Sequence, residues 1–62
     1  MYKFFYREVW TITIEKVGVN SFLAIGEKEG EKTIREMDED MFVAEDSVKR
    51  QIDEVEEKGK QK

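Results

Sequence analysis

The 62-residue chain contains no cysteine, no histidine and no proline. Without cysteine no disulfide can staple a small core, and without cysteine or histidine the usual ligands of a structural zinc are missing. The same absences remove the commonest general base and the thiol nucleophile. Glycine stands only at positions 18, 26, 30 and 59, too scattered for a phosphate-cradling loop. Apolar runs are short: none approaches the ~18–20 residues of a membrane span. Lys3, Arg7 and Glu8 interrupt the start, where a leader peptide would carry its apolar stretch. The expectation is a soluble, cytoplasmic, non-enzymatic protein with no cofactor, no metal, no membrane partner and no small-molecule substrate.

What is present is charge, at 42% of residues, set against 39% hydrophobic residues. Such a charge fraction can signal disorder. Here the apolar residues are clustered and periodic, which points to one folded domain over residues 1–58 with a charged flexible tail at 59–62. A chain of this size buries only about 60% of the surface its unfolded form exposes. With no covalent or metal staple, self-association is the expected support. The net charge of −4 is uneven. Of eleven basic and fifteen acidic side chains, three and two lie in residues 1–26, leaving eight and thirteen in the remainder. An acidic second half argues against generic DNA binding through it.

The run Tyr2 to Ile14 is aromatic and β-branched, and Trp10, Ile12 and Ile14 alternate with Val9, Thr11 and Thr13. Period-2 alternation of this kind predicts a half-buried strand, spanning roughly residues 2–15. A turn over Lys16–Asn20, a second strand over Ser21–Lys28, a turn at Glu29-Gly30 and a third strand over Glu31–Met37 follow. Cross-strand matching favours Ile14 opposite Leu23, Ile12 opposite Ile25, Ile25 opposite Ile34 and Glu27 opposite Lys32. An odd first loop would set Ile14 opposite Phe22 and Trp10 opposite Gly26, exchanging the faces of the second strand.

Val48, Ile52 and Val55 recur at helical spacing among charged residues, predicting an amphipathic helix. Asp46 or Ser47 is the expected N-cap, and Gly59 the expected stop. Met41–Ala44 reads as extended, since Phe42 and Val43 are poor helix formers. The alternative is one longer helix from near Asp38, with Met41 and Ala44 on the same stripe. The fold class is therefore α+β: a three-stranded antiparallel β-β-β meander with one C-terminal helix on one face. Its core is Trp10, Ile12, Ile14, Leu23, Ile25 and Ile34 beneath Val48, Ile52 and Val55.

One helix covers one sheet face. The other would carry Lys3, Phe5, Arg7, Val9, Thr11, Thr13, Phe22, Ala24, Thr33, Arg35 and Met37. Within it Phe5, Arg7, Val9, Thr11, Phe22, Arg35 and Met37 form the candidate interaction face. Exposed apolar patches mark partners, here a second copy in a homodimer or another protein. Single-stranded nucleic acid is a second candidate, with Phe5 and Phe22 stacking on bases and Lys3, Arg7 and Arg35 meeting phosphates. A merely solvated face is a third. Tyr2 to Glu8, overhanging the second strand, could also pair with Met41–Ala44 or join a neighbouring sheet.

Other clusters explain themselves more simply. Ser21 and Ser47 suit a turn and a helix start better than nucleophilic roles. Asp38-Glu39-Asp40 lacks the alternate spacing and following glycine of a calcium loop, and reads as a solvated acidic loop. Asp53, Glu54, Glu56 and Glu57, with the acidic loop at 36–40, could mimic a row of phosphates toward a basic partner, a mode that salt would weaken steeply.

Overall fold

The structure, a computed structural model, describes residues 1–60. It is α+β, with an antiparallel sheet and one C-terminal helix. The strands are β1 (Tyr2–Tyr6), β2 (Trp10–Lys16), β3 (Phe22–Glu27) and β4 (Ile34–Asp38), followed by α1 (Met41–Lys60). They form a meander in the order β1-β2-β3-β4, so there are four strands where the sequence led us to expect three.

The extra strand comes from the aromatic run itself. The Tyr2–Ile14 segment folds back between Tyr6 and Trp10, which face each other across the ladder, as do Phe4 and Ile12. Arg7 and Glu8 make the reversal at φ 53° and 68°, and Val9 N–H donates to Arg7 C=O at 2.8 Å. Non-glycine residues rarely occupy this left-handed region, so no local signal announced the turn. The overhang expected for the first strand is thus paired with β2, not with Met41–Ala44.

Register differs from expectation by one residue on both sides of β3. Ile12 faces Gly26 and Ile14 faces Ala24; Gly26 in turn faces Ile34, and Ile25 faces Arg35. A one-residue change exchanges the two faces of a strand. Ala24 and Gly26 therefore meet the helix, while Leu23 and Ile25 turn to the opposite side. The β3–β4 connection is longer than two residues. Its turn closes from Glu31 N–H to Lys28 C=O at 3.1 Å, with Gly30 at φ +84°, the position-three geometry of a type II turn.

The helix runs through the region expected to be extended and past Gly59 to Lys60. Asp40, not Asp46 or Ser47, caps it: its Oδ1 accepts from Phe42 N–H at 2.8 Å, and its own N–H donates to Asp38 Oδ1 at 2.9 Å. The cap and the stripe Met41, Ala44, Val48, Ile52 and Val55 together outweigh the modest helix propensity of Phe42 and Val43. Residues 61–62 of the expected tail lie outside the described residues. The core is Trp10, Ile12, Ile14, Ala24, Ala44, Val48 and Ile52, with Phe4, Tyr6, Ile34, Met41 and Val55 packed against it. No described helix is long and apolar enough to cross a membrane.

Candidate interaction face

The helix lies mainly over β3 and β4 on one side of the sheet. Its polar flank is tied to the β1–β2 hairpin. Tyr6 O–H donates to Asp53 at 2.9 Å, and Arg7 Nη1 donates to the same carboxylate at 2.9 Å. Arg7 Nη2 also stands 3.8 Å from Glu57. One turn away, Glu56 Oε2 accepts from the Trp10 indole N–H and from Lys28, each at 3.0 Å. The indole hydrogen bond, and then Lys28, hold the Glu56 carboxyl below its ordinary value. Burial, followed by the Asp53 contact, raises the Tyr6 phenol. Lys49 sits 5.5 and 5.4 Å from the ring centres of Phe4 and Tyr6, and its hydrogen bond to Glu45 raises its pKa.

These contacts change the standing of the acidic helix. Of Asp53, Glu54, Glu56 and Glu57, all but Glu54 are engaged with side chains of the sheet or its loops. Asp53 and Glu57 keep 43% and 62% of their side-chain surface exposed while making these contacts. The carboxylates of Asp38 and Asp40 likewise serve backbone N–H groups at the start of the helix.

The opposite face has no helix over it. The ladders lay its side chains out in rows: Lys3, Thr13, Ile25 and Arg35 form the middle row. Glu15, Leu23 and Met37 lie to one side, and Phe5, Thr11 and Glu27 to the other. Thr13 is buried by its neighbours, and Leu23 and Ile25 are half-buried. Phe5 is 76% exposed and Met37 61% exposed. An apolar diagonal thus runs from Met37 through Leu23 and Ile25 to the threonines and Phe5.

Four of the seven residues expected here, Phe5, Thr11, Arg35 and Met37, do share this face. Phe22 does not: the register turns it to the helix side, where it borders an apolar hollow with Met1, Tyr2, Ile14 and Met41. Arg7 and Val9 belong to the hairpin turn, Arg7 reaching the helix and Val9 exposed. Leu23 and Ile25 were missed. Their clue was the isolated glycine at 26, since glycine inside a strand commonly marks a close backbone approach on its own side. The face now offers two cations, Lys3 and Arg35, beside two anions, Glu15 and Glu27, and only one aromatic ring. No family model, curated protein or solved structure matches this chain.

Proposed function

We propose that this chain is a small, non-enzymatic assembly module that associates with copies of itself through the part of the sheet its helix leaves uncovered. The carrying observation is the one-sided cover. Phe5 and Met37 remain largely exposed, beside half-buried Leu23 and Ile25. Apolar side chains gathered on one surface usually mark interaction sites. Size supports the same reading, because a domain this small gains from further burial. The balanced charges of the face favour a protein surface over nucleic acid, whose phosphates call for an excess of cations. The commitment of Asp53 and Glu56 to structural partners supports a role without catalysis. A cytoplasmic setting belongs to the same proposal and rests on composition alone.

The test is a Phe5→Lys, Met37→Lys double variant. Both side chains are exposed, so the circular dichroism spectrum should match the parent's while concentration-dependent mass is lost. A folded double variant that keeps the parent's mass profile would rule the reading out.

A further inference from the structure

The two edges of the sheet are β1 and β4, and each leaves a row of backbone N–H and C=O groups without a ladder partner. They are protected very differently. β4, Ile34-Arg35-Glu36-Met37-Asp38, carries three charges in five residues. Pairing β4 with its own copy about its centre would set Glu36 opposite Glu36, and like charges directly opposite are unfavourable. β1, Tyr2-Lys3-Phe4-Phe5-Tyr6, carries one charge, with no glycine or proline, and pairs with β2 residue for residue along its whole length. It has none of the usual edge guards beyond Lys3.

We propose that two copies of this chain join through β1, antiparallel about a two-fold axis at Phe4, making one continuous sheet from two four-stranded ones. The inference rests on the self-association reading but not on the whole face: joining through β1 covers Phe5 and leaves Leu23, Ile25 and Met37 on the far strands uncovered. An antiparallel edge is complementary to itself: the axis normal to the sheet brings the same donors and acceptors together from both sides. Centring on Phe4 sets Tyr2 opposite Tyr6 of the second copy on the helix side. On the other face it sets Lys3 opposite Phe5 of the second copy. Among the directly opposed strand residues no like charges meet, and an ammonium lies beside an aromatic ring, a favourable pairing. Phe5, 76% exposed, and Tyr2, 49% exposed, gain cover. The helix backbone stands mainly over β3 and β4, and only its Lys49 and Asp53 side chains reach back to Phe4 and Tyr6 beside the joining edge. The ties from Tyr6 and Arg7 to Asp53 hold β1 in place before pairing, which reduces the ordering cost.

Charge sign at position 5 tests this register. Phe5→Lys places lysine opposite Lys3 twice per dimer, whereas Phe5→Glu places a carboxylate there twice. Light scattering at matched concentrations should show Phe5→Lys dimerising about tenfold or more weakly than Phe5→Glu. Adding Lys3→Glu to Phe5→Lys should restore the dimer. A face-stacked assembly would respond alike to either charge. A parent that associates while Phe5→Lys and Phe5→Glu weaken equally, or a charge swap without rescue, would overturn the edge and leave the assembly reading standing. A parent that stays one chain at every concentration would overturn both.

Discussion

A β-carbon at position 26 would stand 2.9 Å from Val48 Cγ1 and 3.1 Å from Ile52 Cδ1. The helix comes this close because the side chains β3 turns toward it at this point, Ala24 and Gly26, are small. Overfilling a packed interior typically costs ~1–3 kcal/mol. Gly26→Ala should therefore lower stability by about that amount, read as a drop in the urea midpoint. Gly59→Ala is the opposite case: nothing lies within reach of its added carbon. An exposed helical glycine replaced by alanine should gain up to ~1 kcal/mol, the sign reversing between the two sites. Gly26 also explains where reading the residues alone went astray. Matching large apolar residues across strands put Leu23 and Ile25 in the core. The close approach of Val48 and Ile52 instead favours the smallest residues inside. Pairwise apolar matching carries no term for the distance of a third element, so the faces of β3 were not legible from it.

At the scale of elements, the helix stripe was written plainly in periodicity, and Val48, Ile52 and Val55 do lie on the C-terminal helix, which begins earlier, at Met41, than that pattern placed it. The β1–β2 turn was not legible, because Arg7 and Glu8 take left-handed backbone conformations without glycine or asparagine. What supports the hairpin is distant in sequence: Asp53, Glu56 and Glu57 on α1 meet Tyr6, Arg7 and Trp10. The helix start was misjudged for a local reason, since Asp40 caps it just upstream of the two residues least suited to a first turn.

The tie between Trp10, Lys28 and Glu56 makes a pH prediction. Because the folded state holds the Glu56 carboxyl below its ordinary value of about 4.5, its contribution is present in full above that unfolded value. It is lost as pH falls through the lower folded value. Glu56→Gln should flatten the acid limb of urea midpoint against pH relative to the parent. Equal acid limbs would mean that another carboxylate carries it.

For the whole molecule, one helix over a four-stranded sheet leaves one face and two edges to solvent. A 20-residue helix spans ~30 Å, whereas strands of five to seven residues span only ~17–24 Å. The helix has length to spare along the strands, yet it cannot wrap the sheet's far side. That an uncovered face would exist was legible from the count of elements. Which residues occupy it depended on the β3 register, and the bare edge at β1 depended on a turn without sequence signature. Self-association is what we propose for this layout, and solution mass tests it most directly. Static light scattering over a concentration series, at low and at high salt, should show mass rising from one chain toward two under both conditions. Backbone pairing and apolar cover are little screened by ions, so salt should not dissolve the dimer. One chain at every concentration, or association that vanishes at high salt, would contradict it.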